Sequence, residues 1–105
     1  MSNNDERYRS ASQLRILKIL LLLGGHEVDG LAPSQIAKSL QIAPGEVTHD
    51  TANLRLAGLA EQIIETGRWR LTPRVPQIAM AMLRELERRG NFLDETKQRY
   101  TREPK

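Results

Sequence analysis

Two short stretches carry the side chains able to do chemistry. One is VTHDTANLR, Val47 to Arg55, where a histidine stands beside an aspartate and an asparagine and an arginine follow. The other is RWRLTPR, Arg68 to Arg74, with three arginines and no acid. A histidine-aspartate pair serves metal-dependent phosphohydrolases, but those sites need further His and Asp ligands. The only other histidine is His26, and the chain has no cysteine, so a zinc or catalytic centre is not assembled. No glycine-rich phosphate loop is present. An enzyme, a metal and a cofactor are therefore not expected. What remains is binding. Histidine, asparagine and threonine can read base edges, and arginines hold phosphates.

The charge distribution points the same way. The net charge of the 105 residues is +3. Residues 1–60 hold six basic and six acidic side chains, whereas residues 61–105 hold ten and seven. No acid lies between Gly67 and Leu83. A basic patch focused in this way attracts a polyanion where a diffuse +3 would not. The absence of cysteine excludes disulfides. The longest apolar run, ILLLLGG from Ile19 to Gly25, is too short to span a bilayer, and the polar N-terminus lacks a signal-peptide pattern. The reading is a cytoplasmic protein with no membrane partner.

The elements that would position these side chains follow from periodicity. Residues 1–9 are polar and expected to be disordered. Residues 10–90 read as one domain. Residues 91–105 form a charged tail in which Phe92, Thr96 and Tyr100 have the spacing of a short helix. The first helix opens at Ser10, with Gln13 at capping-box spacing, and stops at Gly24-Gly25. Its Leu14, Ile16, Leu17 and Ile19 to Leu23 cover nearly the whole circumference, broken by Arg15 and Lys18. A helix apolar all round is buried on more than one side, so a partner surface is implied. Pro33 opens a second helix with Ile36, Ala37 and Leu40 on one face. After a QIA turn, Pro44 opens a third, with Glu46 in its first turn and Val47, Thr51 and Leu54 facing inward. Gly58 is its cap. LAEQIIE then reads as a strand, TG as a turn and RWRLT as the return strand. Alternation puts Trp69 and Leu71 on the core side and Arg68, Arg70 and Thr72 on the other. Pro73 and Pro76 start a last long helix with Ile78, Ala79, Met82, Leu83 and Leu86 as its stripe, ending at Gly90.

Helix, helix, tight turn, helix, hairpin is the helix-turn-helix order with a wing. At this level the chain resembles the winged helix-turn-helix of bacterial transcription regulators, nearest to the IclR and MarR types. Ile36-Ala37, Leu40, Pro44, Val47, Leu54 and Gly58-Leu59 carry the resemblance in the helices. Gly67, Trp69 and Leu71 carry it in the wing. The fold class is mainly α: a three-helix core, a two- or three-stranded β-hairpin wing and a C-terminal helix. Departures are Ala32 and Ala43, where Ser or Thr commonly caps, and the absence of an effector domain after the wing.

The resemblance implies that the third helix enters the major groove of double-stranded DNA and that the wing lies on the backbone. The expected DNA contacts on the helix are Gly45, Thr48, His49, Ala52, Asn53 and Arg55. On the wing they are Arg68, Arg70 and Arg74. Arg7, Arg9, Arg15, Lys18 and Lys38 are further candidates for flanking phosphates. A homodimer is expected through Leu14, Ile16, Leu20, Leu23, Ile78, Met82 and Leu86. The function so implied is a small stand-alone transcription regulator, most simply a repressor, of a size that suits a phage or mobile element. A second reading stays open: a winged helix that binds a protein partner, as adaptor or inhibitor. Glu46 and Asp50 make the third helix net acidic, and Leu56 adds an apolar residue to its outward face. Both features suit a protein contact better than DNA.

Overall fold

The structure, a computed structural model, describes residues 4–90 and 94–102. The element order is α1 (Ala11–Leu23), α2 (Pro33–Leu40), α3 (Pro44–Leu56), β1 (Ala60–Gln62), β2 (Trp69–Leu71), α4 (Arg74–Arg88) and α5 (Asp94–Thr101). The chain forms two compact units, one ending at Thr72 and the other beginning at Pro73.

In the first unit each helix begins and ends where the local chemistry dictates. The Ser10 hydroxyl accepts from the Gln13 amide at 3.3 Å and opens α1. Ala32 and Ala43 cannot cap with their side chains. Instead Gln35 and Glu46 reach back, and their Oε1 atoms accept from the Ala32 and Ala43 amides at 2.8 and 2.9 Å. Pro33 and Pro44 supply the preset first residue of α2 and α3. Gly58, at φ +80°, closes α3, with Leu59 N donating to Leu54 O and Gly58 N to Arg55 O.

The core lies where the three helices meet the hairpin. Ile19 and Leu23 from α1, Ile36 from α2, Val47 and Leu54 from α3, and Ala60, Trp69 and Leu71 from the strands are buried. Each large aliphatic side chain so buried contributes about 2 kcal/mol. The apolar circumference of α1 is not all covered: only Ile19 and Leu23 are fully buried, while Leu17 and Leu21 are exposed.

The hairpin is antiparallel, with Ala60 opposite Leu71, Glu61 opposite Arg70 and Gln62 opposite Trp69. A two-residue Thr66-Gly67 turn does not form. Its usual type needs positive φ at both positions, which a β-branched threonine resists. The loop therefore spans 64–67. Ile63 N donates to Arg68 O, Gly67 N donates to Ile63 O at 2.7 Å, and Gly67 alone takes φ +75°. This moves the register by two residues from the sequence expectation. An even shift leaves every side chain on its expected face, so Trp69 and Leu71 still face inward. Leu31 adds a third, single-bridge strand on the Trp69 side, with N–H···O bonds of 2.8 Å in both directions. Gly30 (φ +72°) makes this possible, since a Cβ there would sit 2.8 Å from the Trp69 carbonyl oxygen.

Residues 5–8 form a 3₁₀ turn rather than an unstructured end. Two bonds from Arg9 to the Glu6 carboxylate, at 2.7 and 2.9 Å, fix it.

In the second unit α4 starts at Arg74, with Pro73 as its N-cap and Pro76 in its first turn. Pro76 is tolerated because a first-turn N–H has no intrahelical acceptor. No residue of α4 is buried. Thr96 and Tyr100 of α5 line an apolar groove with Ile78, Met82 and Leu86 of α4. The expected tail helix is thus present as α5; Phe92, the first residue of its proposed spacing, lies outside the described residues.

Candidate nucleic-acid interface

The outward face of α3 is set by what its inward face buries. Val47, Asp50, Thr51 and Leu54 are buried, the spacing of a helix stripe packed on a core. Thr51 settles its hydroxyl on the Val47 carbonyl at 2.8 Å. Asp50 is 1% exposed and needs a cation. Arg15 of α1 supplies it: Nε donates to Asp50 Oδ2 at 2.5 Å and Nη2 to Oδ1 at 2.9 Å. The same guanidinium donates from Nη1 to Glu46 Oε2 at 2.7 Å. Both oxygens of Glu46 are therefore engaged, one by Arg15 and one by the Ala43 amide.

This arrangement bears on two sequence expectations. Arg15, a candidate for a flanking phosphate, is instead paired with two carboxylates between α1 and α3. The net acidity of α3 is offset by that guanidinium: Asp50 is buried against it, and Glu46, partly exposed, is paired with it. The hydrogen bonds from Arg15 and then from His49 hold the Asp50 carboxyl below the usual carboxylate range, against the opposing effect of burial. The Asp50 hydrogen bond in turn raises Arg15.

The remaining outward positions of α3 are Gly45, Thr48, His49, Asn53, Arg55 and Leu56, all exposed, with Ala52 half-buried between them. A Cβ at Gly45 would meet nothing within 4 Å, so the first turn is open to a close approach. The side chains are already ordered. The Thr48 hydroxyl donates to Pro44 O at 3.2 Å, and Asn53 Nδ2 donates to His49 O at 2.9 Å. His49 Nδ1 lies 3.1 Å from Asp50 Oδ1. Arg55 stands over the buried Trp69 ring, 5.8 Å from its centroid, and so ties the last turn of α3 to β2.

Arg68 and Arg70 lie on the strand face opposite Trp69 and Leu71, and both are half-buried. Arg70 faces Glu61 across the hairpin, with Nη2 3.4 Å from the carboxylate, and Arg68 reaches Gly30 O at 3.4 Å. Arg74 is not on the wing. It is the first residue of α4, in the second unit.

Of the expected dimer residues, Leu23 is fully buried in the first unit's core and cannot meet a partner. Ile16 and Leu20 are half-buried. The exposed apolar side chains of α1 are Leu14, Leu17 and Leu21. In α4, Ile78 and Met82 are exposed, joined by Met80. Among the described residues no group of three or more His, Cys, Asp or Glu is placed to hold a metal ion. No helix among them is long and apolar enough to cross a membrane.

Three helices followed by an antiparallel hairpin, with the third helix presenting an ordered polar face, is the winged-helix fold. A crystal structure of an IclR family transcriptional regulator from Brucella abortus is similar, with a TM-score of 0.64 at 23% identity. The likeness covers 73% of this chain and 29% of that regulator, so the chain spans less than a third of the regulator's length. No protein-family model matches the chain, and no curated protein does.

Proposed function

We propose that this chain binds double-stranded DNA in a sequence-specific manner as a transcription regulator, with α3 in the major groove and the β1–β2 wing on the phosphate backbone. The observation that carries this reading is the pairing of Glu46 and Asp50 with Arg15. It leaves Thr48, His49, Asn53 and Arg55 as the polar side chains of the outward face. Arg68 and Arg70 add positive charge on the adjoining hairpin. The similar fold of a known transcriptional regulator supports it. A protein that occupies a promoter in this way acts most simply as a repressor.

Leu56, 82% exposed at the end of α3, favours the protein-binding reading in its place. Fluorescence anisotropy with a mixed-sequence duplex across a salt series separates the two. Under the DNA reading log K falls linearly with log salt between about 50 and 200 mM. A folded chain that binds no duplex at the low end leaves the protein-binding reading, with Leu56→Asp as the variant that abolishes its contact.

The proposed regulator works as a homodimer, with two α3 helices about 34 Å apart on a pseudo-palindromic site. Leu14, Leu17 and Leu21, spaced to share one face of α1, are its first-unit contacts. Light scattering at micromolar concentration is expected to give twice the mass of one chain, and Leu21→Asp to give one. A wild-type monomer under those conditions would remove the dimer.

A further inference from the structure

We infer that α3 reads adenine through Asn53 and disfavours guanine under that side chain. The inference rests on the DNA reading above and adds the class of base that the helix accepts.

The first step concerns the turn of α3 that carries His49. Asp50 receives two hydrogen bonds from Arg15 and is 1% exposed. Its Oδ1 also lies 3.1 Å from His49 Nδ1, so the buried carboxylate orients the exposed ring. The His49 carbonyl accepts from Asn53 on that outward face.

The second step concerns Asn53, one turn further along the same face. Its Nδ2 must face the His49 carbonyl, which only accepts, at 2.9 Å. That bond uses one amide proton. The carbonyl Oδ1 and the second amide proton remain, one acceptor beside one donor. Adenine offers the complement in the major groove, with N6 donating and N7 accepting. Guanine offers two acceptors, O6 and N7, and would leave Oδ1 without a donor.

The remaining polar groups agree. Thr48 donates its hydroxyl proton to Pro44 O, so its outward side is lone pairs. The cation of α3 that could pair with guanine, Arg55, is held over the Trp69 ring at the far end of the helix. Asn53 is thus the side chain of this face placed to read an adenine edge.

The test is selection from a randomised duplex library, followed by anisotropy on the enriched site with base analogues. Wild type is expected to enrich A·T over G·C at the position that Asn53 reads. Replacing that adenine by purine, which lacks the N6 amine, is expected to weaken binding about tenfold. In Asn53→Ala, whose side chain is exposed and whose fold is not at risk, the same base change should cost less than about twofold. Enrichment of G·C at the position whose preference Asn53→Ala relaxes, or equal sensitivity to purine in wild type and Asn53→Ala, overturns the inference. Equal binding to all duplexes overturns it alone. A folded protein that binds no duplex at 50 mM salt overturns the DNA reading with it.

Discussion

Arg15→Leu is expected to melt on the order of 15 °C below wild type and to flatten the acid side of its stability profile. The loss comes from Asp50, which keeps its burial and loses the guanidinium that compensates it. An unpaired buried carboxylate costs about 3 kcal/mol, a large share of a small domain's stability. In wild type the folded pKa of Asp50 is depressed, first by Arg15 and then by His49. Such a group adds stability that is present above the unfolded value, near 3.9, and is lost as pH falls through the folded value. Wild type should therefore hold its melting temperature from pH 7 to about pH 5 and lose it below about pH 4. Without the guanidinium, burial opposes only the weaker pull of His49, and the folded pKa rises toward the unfolded one. The variant should then lose less stability than wild type as pH falls from 7 toward 4. Replacing both partners, Arg15→Leu with Asp50→Leu, should recover most of the loss, because an apolar pair of similar size needs no compensation. Circular-dichroism melts at pH 4, 5.5 and 7 read wild type and both variants. An Arg15→Leu protein that melts with the wild-type profile would mean that α3 does not depend on this fork for its orientation.

The fork also marks the limit of what periodicity showed. The three core helices, the Ser10 start of the first, the Gly58 end of the third and the alternation of the wing follow from apolar spacing and from Pro33, Pro44, Gly58 and Gly67. They agree with the structure because each is a local rule. The ion cluster is a long-range pairing, 35 residues apart in sequence for Arg15 and Asp50. Its signal was nevertheless present. Position 50 falls on the same stripe as Val47, Thr51 and Leu54, so an aspartate there is buried and must find a cation. Arg15 is one of two cations interrupting an otherwise apolar first helix. Counting charges along α3 hid this, since a count ignores which face each charge occupies. The hairpin loop went wrong for a different reason. Thr66-Gly67 has the glycine of a tight turn without a first residue able to take positive φ, and Ile63 closes the loop instead. An apolar total along α1 cannot separate Leu23, needed by the core, from Leu21, left outside it.

Removing both wing arginines, Arg68→Ala with Arg70→Ala, is expected to weaken DNA binding on every sequence and to lower the salt slope by about two. Charge-assisted bonds to phosphate account for the size: the loss should be about tenfold or more at 0.1 M salt. The two arginines should not contribute equally. Arg68 gives up one long bond to the Gly30 carbonyl, 3.4 Å, to reach a phosphate. Arg70 must leave the Glu61 carboxylate opposite it, also at 3.4 Å. That pair is partly exposed, so its strength is at most about 1 kcal/mol, and a phosphate can displace it. Glu61 then remains near the backbone as a like charge. Glu61→Gln should consequently tighten binding by up to about fivefold with the selected sequence unchanged. The combination discriminates where a single variant would not. A wing that touches phosphate gives a lower slope in the arginine variant and tighter binding in the glutamine variant. A wing that merely carries solvated charge gives neither, and α3 would then have to hold DNA without it.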